Sequence, residues 1–229
     1  MPAPFPRFTP RTEERVNPRR VQAMNTLGVE KKGPVVYWMG RDRRLHDNWA
    51  LRYAEELAQK ENRSLLVLAI LQIPFENAIQ RQHQFSLEGY RDMANEAEKR
   101  GISLLVKMGT PDDIIVPYLT NIDASALIMD LTVLRVSKKR REGVVSQLDI
   151  PIFEVDAHNI VPLWVASEKK EYAAYTLRPK IHRIISEFLT KFPDEYTNVR
   201  QHQTEKTDWK KIEDAISHLP EHPLYKKNI

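Results

Sequence analysis

The residues best equipped for chemistry stand at the ends of short apolar runs. Met39, Gly40, Arg41 and Asp42, followed by Arg43 and Arg44, close the run that begins at Val35; Asp130, Leu131 and Thr132 close the run that begins at Ala126. A guanidinium in a loop can hold an anionic or polar oxygen by charge-assisted hydrogen bonding, which makes Arg41 the leading candidate for ligand contact. Asp130 has two readings: a wall of the same pocket, or a cap on its own following turn through local backbone hydrogen bonds. Lys107, Met108 and Gly109, after another apolar run, are lesser candidates on the same logic. All of this chemistry is binding chemistry.

Catalytic signatures are absent. The sequence has no GxGxxG, no GxxxxGK(S/T), no HExxH and no GxSxG, and it has only seven glycines from which to build a phosphate cradle. It has no cysteine, which excludes disulfides, thiol nucleophiles and thiolate metal sites and fits a cytoplasmic protein. His158 and Asn159 have only Asp156 beside them, so a structural turn is the expectation there. Trp38, Trp49 and Trp164 fall on a strand, an amphipathic helix and a crossover, where core packing is the default for an aromatic ring.

Positioning these residues requires a sheet. Val35-Val36-Tyr37-Trp38-Met39 predicts a buried first strand, and Asp47 is placed to cap a helix whose apolar positions include Trp49, Leu51, Ala54 and Leu57. Residues 64–71 predict a second strand covered on both faces. A long helix carries Ile79, His83, Leu87, Tyr90 and Met93 on one side and stops at Gly101. Strands follow at 102–107, 126–130 and 150–155, separated by a short helix opening at Pro111 and a basic helix over 134–148. This alternation predicts an α/β fold, a doubly wound, Rossmann-like five-stranded parallel sheet with a helical C-terminal extension. Ligands of such sheets bind beyond the carboxyl ends of the strands where the strand order reverses, so the loops after the first and fourth strands are the expected pocket walls.

With 41% hydrophobic and 29% charged residues, the 229-residue chain has a core to bury. Its net charge of +4 is too small to argue for a polyanion partner. No apolar run approaches the roughly 20 residues needed to span a bilayer, so no membrane association is expected. Prolines crowd both ends, and the chain divides into an N-terminal arm (1–33), an α/β domain (34–165) and a helical extension (166–229) with helices expected over 178–192 and 208–219. Phosphate contact by Arg19 and Arg20 or by Lys138, Lys139, Arg140 and Arg141 is weighed against the commoner reading of solvated charge.

Two blocks carry a family resemblance. Residues 33–44, Gly-Pro-Val-Val-Tyr-Trp-Met-Gly-Arg-Asp-Arg-Arg, with Asp47-Asn48-Trp49-Ala50-Leu51, resemble the first strand and loop of class II cyclobutane pyrimidine dimer photolyases. Residues 153–164 and Glu171-Tyr172-Ala173-Ala174-Tyr175-Thr176-Leu177-Arg178-Pro179-Lys180 are similar to the segment that leaves the α/β domain in that family. Arg43 stands where the family usually has glutamine and Leu163 where it often has cysteine.

The resemblance implies an antenna domain that binds a light-harvesting chromophore of deazaflavin type. Met39, Gly40, Arg41, Asp42, Asp130, Leu131 and Thr132 are then the cofactor-binding candidates. FAD and UV-damaged DNA would be bound by a helical partner domain, supplied in cis or in trans, against which Tyr172, Tyr175, Arg178 and Lys180 would pack. The chain ends at Ile229, where that domain would be starting, so alone it is expected not to repair DNA. The alternative is a stand-alone nucleotide-binding or stress-type α/β module outside photorepair.

Overall fold

The computed structural model describes residues 15–75, 78–192 and 199–221. Alternation between long apolar runs and amphipathic segments produces a six-stranded sheet. The strands are β1 (Val21–Ala23), β2 (Val35–Met39), β3 (Leu65–Leu71), β4 (Leu104–Met108), β5 (Ala126–Asp130) and β6 (Ile152–Val155), in the order β1-β6-β5-β2-β3-β4. The five strands read from the sequence are β2 to β6, and every pairing among them is parallel. The sixth, β1, comes from the N-terminal arm and pairs antiparallel with β6, placing Val21 opposite Val155. Three residues carry too little periodicity to be recognised as a strand.

All seven residues of β3 are buried because helices cover both faces of the sheet. Side chains alternate between two cores. Val35, Tyr37 and Met39 pack with Leu51, Ala54 and Leu87 on one side, while Val36, Leu66 and Leu68 pack with Ile115, Leu119 and Val144 on the other. The helices responsible are α1 (Trp49–Lys60) and α2 (Gln80–Lys99) on the first face, and α3 (Pro111–Asn121) and α4 (Arg135–Val145) on the second.

Local signals set the helix ends. Thr110 caps α3 by accepting from Asp113 N, with Pro111 in the first turn. Gly101 follows α2 at φ +66, a left-handed conformation that glycine adopts without a Cβ penalty. The cap of α1 is Asn48 rather than Asp47: the Asn48 side chain accepts from Leu51 N at 3.0 Å, and Asp47 makes the preceding turn at φ +42. Both residue types favour caps, and the register of the buried face decides between them.

The chain leaves the sheet through α5 (Leu163–Ala166) and α6 (Ala174–Phe188). Helix α6 begins four residues before the expected 178, with Pro179 accommodated inside it. Residues 199–221 then return to the sheet. Arg200 O accepts from Leu65 N at 2.8 Å and Leu65 O accepts from His202 N at 2.9 Å. Helix α7 (Trp209–Ser217) buries Ile212 and Ile216 in the core shared with α2, and Arg91 holds Glu213 at 2.6 Å while lying over the Trp209 ring.

Gly33 marks the point where the chain squeezes into the sheet. Its N–H donates to Asp123 O at 3.1 Å, and a Cβ here would stand 2.0 Å from that same oxygen. Gly33→Ala is expected to destabilise the chain by about 1–3 kcal/mol through forced displacement of backbone. Gly28, with nothing within 4 Å of its Cβ position, is the control. Urea unfolding of the two variants beside the parent chain checks this, with Gly28→Ala expected within about 0.5 kcal/mol of it.

Candidate functional site

The sheet reverses direction of strand order at β2, which has β3 on one side and β5 on the other. Beyond that point the chain of β2 turns sharply at Gly40, and one carboxylate organises the turn. Asp130, the last residue of β5, accepts at Oδ2 from the backbone N–H groups of Gly40 at 2.9 Å, Arg41 at 2.7 Å and Asp42 at 3.2 Å. Its Oδ1 accepts from the Tyr37 hydroxyl at 2.7 Å. Successive N–H groups of this kind make an anion-binding concavity. Here the anion is the protein's own side chain.

Burial raises the Asp130 carboxyl above its ordinary value, against the lowering effect of its hydrogen bonds with Tyr37 and the loop. Burial also raises the Tyr37 phenol well above its usual range, with the charge of Asp130 acting the same way, so Tyr37 stays protonated and donates. Asn48 completes the cluster. Its Nδ2 donates at 3.0 Å to the Tyr37 hydroxyl and to Asp42 O and Arg44 O, tying the loop to the start of α1.

A cavity of about 830 Å³ opens over the carboxyl ends of β2, β3 and β5. Its walls include Trp38, Met39, Ile70, Leu71 and Met129, and its mouth exposes Phe75, Val133 and Leu134. Arginines edge it: Arg41 is exposed with no side-chain partner among the described residues, whereas Arg43 donates to Gly40 O at 3.3 Å and lies over the Tyr90 ring. Arg140 reaches across to Gln72 at 3.0 Å. Buried Arg141, also in the wall, pairs with Glu154. The size suits a small-molecule ligand, and the lining is that of a mostly apolar pocket with a few polar groups.

Of the seven candidates from the sequence, Met39, Gly40, Arg41, Asp130 and Thr132 line this cavity. Asp42 and Leu131 do not. Asp42 is 3% exposed and turned to Arg44, whose guanidinium lies 2.8 Å from it, and Leu131 is buried with its N–H on Val155 O. Asp130 serves both as wall and as cap, and the turn that it caps follows β2 rather than its own strand. Lys107 and Met108 line a separate cavity of about 510 Å³, where Lys107 is held by Glu205 at 2.7 Å. Trp38 is half-buried and lines the larger cavity. Trp49 packs against Phe192 with ring centroids 4.0 Å apart, and Trp164 donates to Arg19 O at 2.7 Å.

The N-terminal arm is structural over its described part. Arg20 is 2% exposed, lies over the Trp49 and Phe188 rings, and donates to the carbonyls of Asp156, Asn159 and Ile160. Burial lowers it to about 10, against the raising charge of Asp156. It cannot reach a phosphate, and Arg19 is engaged with Glu187 at 2.5 Å. Asp156 is fully buried and accepts from the N–H groups of His158, Asn159 and Leu163, so residues 156–163 form the structural turn expected of them. Sequence reasoning missed His83, Gln72 and the loop residues Val133 and Leu134 as cavity walls. His83 sits at helical spacing among apolar residues and reads as core.

The sheet, its switch point and the cavity above it define an open doubly wound α/β domain. Residues 35–197 match the family model for DNA photolyase, and the chain belongs to that family, as its photolyase α/β domain. A deoxyribodipyrimidine photo-lyase from Arabidopsis thaliana is 40% identical over 163 residues, covering 70% of this chain and 33% of its own length. Another, from Potorous tridactylus, is 40% identical over 181 residues, covering 76% and 34%. The chain thus spans about a third of the length of these relatives. An archaeal photolyase from Sulfolobus tokodaii, solved with two FAD molecules and reported to imply a novel light-harvesting cofactor, superposes with a TM-score of 0.57 at 15% identity over 79% of this chain and 41% of its own. A Synechocystis cryptochrome gives 0.55 at 18% identity, covering 80% and 40%. These structural likenesses show the fold. Among the described residues no helix is long and apolar enough to cross a membrane.

Asp130→Ala would leave three loop N–H groups and the Tyr37 hydroxyl without their acceptor. A loss of at least about 3 kcal/mol is expected in urea unfolding, with a smaller loss for Asp130→Asn, which keeps one acceptor oxygen.

Proposed function

We propose that this chain is the antenna domain of a class II DNA photolyase, holding a deazaflavin-type chromophore in the cavity above β2, β3 and β5. The observation that carries the reading is the cavity itself: about 830 Å³, apolar inside, sited at the switch point, and edged by the guanidinium of Arg41, which has no partner among the described residues. Apolar side chains exposed at the mouth, Phe75, Val133 and Leu134, gain cover when a ring system lies against them. Met39, Gly40, Asp130 and Thr132 shape the wall, while Asp42 and Leu131 act on it from behind.

A bound chromophore would absorb near-ultraviolet and blue light and pass the excitation to a flavin. The chain's own residues bind and orient it: Arg41 holds an anionic or hydroxylated substituent, the Asp130 cluster keeps the Gly40 turn rigid, and the apolar walls exclude water. The acceptor is FAD in a helical domain, joined in cis or supplied in trans, which would also bind UV-damaged DNA. Tyr172 at 95% exposure and Tyr175 at 78% suit the face that meets it, since aromatic residues supply much of an interface. The setting is the cytoplasm.

The test is a fluorescence titration of the purified chain with 8-hydroxy-5-deazariboflavin, then with FAD and with ATP. Saturable deazaflavin binding is expected, about tenfold weaker in Arg41→Ala, the cost of one charge-assisted hydrogen bond. Preferential FAD binding would replace the chromophore, preferential ATP binding would favour a nucleotide-binding module, and no binding by the folded chain would refute the antenna role.

A further inference from the structure

The chain has four tryptophans, and three of them are engaged by the protein. Trp49 packs on Phe192 and lies under Arg20, Trp164 donates to Arg19 O at 2.7 Å, and Trp209 lies under Arg91. Trp38 is different. It stands on β2 between Leu68 of β3 and Met129 of β5, packs against the core under α3 and α4, and forms part of the cavity wall. Among the described residues its indole N–H has no hydrogen-bond partner, and its ring meets no other ring or cation. The ring is half-buried, and its nitrogen is not closed to solvent as His83 Nε2 and Arg141 Nε are.

An indole N–H is a donor only, and in a buried setting it usually finds a partner. A ligand that fills the cavity strips water from this N–H and must return an acceptor or lose affinity. Other polar groups along the wall have the same bias. Gln72 Oε1 accepts from Arg140 and Gln82 Oε1 accepts from Ile79 N, so each amide is left with its nitrogen to offer, and Arg41 carries donors alone. The Asp130 carboxylate, the natural acceptor of this wall, already takes four hydrogen bonds from the protein. The hydroxyls of Thr132 and Ser137 serve in either sense.

We propose that Trp38 is a recognition residue of the cavity, its indole N–H donating to an acceptor on a planar ligand, either a carbonyl oxygen or an unprotonated ring nitrogen. This rests on the cavity reading above and deepens it, because it states what the ligand must carry. β2 is paired on both sides of Trp38, so the donor sits on a fixed strand rather than on a loop, and little freedom is lost when the bond forms. A ligand without an acceptor at that place leaves the N–H unpaired and is rejected for it.

The experiment follows the four indole N–H resonances of the full chain by two-dimensional NMR during titration with 8-hydroxy-5-deazariboflavin, each assigned by its loss in the corresponding Trp→Phe variant. The Trp38 resonance is expected to shift and its exchange with water to slow, while those of Trp164 and Trp209 stay in place. Trp38→Phe keeps an aromatic ring and loses the donor, and should bind the probe about three- to tenfold more weakly. Trp164→Phe loses the bond to Arg19 O, and should melt below the parent chain yet bind the probe as the parent does. A bound probe with the Trp38 resonance unmoved and still exchanging freely, or parental affinity in Trp38→Phe, overturns the role of Trp38 and leaves the cavity reading standing. Equal weakening in Trp38→Phe and Trp164→Phe marks a general loosening of the domain and overturns it likewise. Should Trp38→Phe not fold, the parent chain's own resonance decides, assigned as the signal that survives in the other three variants. A parent chain that does not bind the probe overturns the cavity reading and this inference together.

Discussion

One carboxylate holds the functional end of the sheet together. Asp130 ends β5, yet three of its four hydrogen bonds go to the loop that leaves β2, and the fourth goes to Tyr37 within β2. The two strands flanking the switch point are thereby tied by a side chain as well as by their backbone ladder. Because the carboxylate fills the concavity of loop N–H groups, the turn has none of them left for a phosphate. This separates the site from glycine-rich dinucleotide cradles, which use the same backbone geometry for a ligand anion. Of the arginines at the rim, Arg41 is the one whose guanidinium has no partner among the described residues.

Both described ends of the chain pack back onto the sheet. The N-terminal arm supplies an edge strand and inserts Arg20 between Trp49, Phe188 and three carbonyls of the 156–163 turn. A guanidinium that donates to three carbonyls and stacks on aromatic rings can be buried at tolerable cost. At the other end, residues 199–221 pair with the start of β3 and bury Ile212 and Ile216 beside α2. Helix α2 carries His83 on its cavity side, so the return of the chain steadies one wall of the cavity.

Much of the fold was legible because burial imposes its period on the sequence. β3 is seven apolar residues in a row, and α2 shows its buried positions at helical spacing up to a terminal glycine. What escaped was whatever depends on long-range pairing. β1 is a strand because β6 offers it an edge, and nothing in Val-Gln-Ala says so. The choice of Asn48 over Asp47 as a cap depends on which one points at Leu51 N. At the site, the loops after β2 and β5 followed from topology, and the identity of Met39, Gly40, Arg41, Asp130 and Thr132 as wall residues followed from that. Asp42 and Leu131 share those loops but face inward, since adjacent residues in a turn point in different directions. The far wall, with His83, Phe75 and Gln72, comes from α2 and the end of β3, at least thirty positions away in sequence from the nearest of the seven candidates.

On the proposed function, the switch-point cavity, and no other part of the domain, takes the chromophore. Two-dimensional amide NMR of the chain titrated with 8-hydroxy-5-deazariboflavin tests it most directly. Shifts are expected to concentrate at Gly40, Arg41, Leu71, Gln72, His83 and Thr132, with Lys107, Tyr118 and Thr207 around the smaller cavity unmoved. Shifts centred on Lys107 and Thr207, with the Gly40 turn silent, would contradict it.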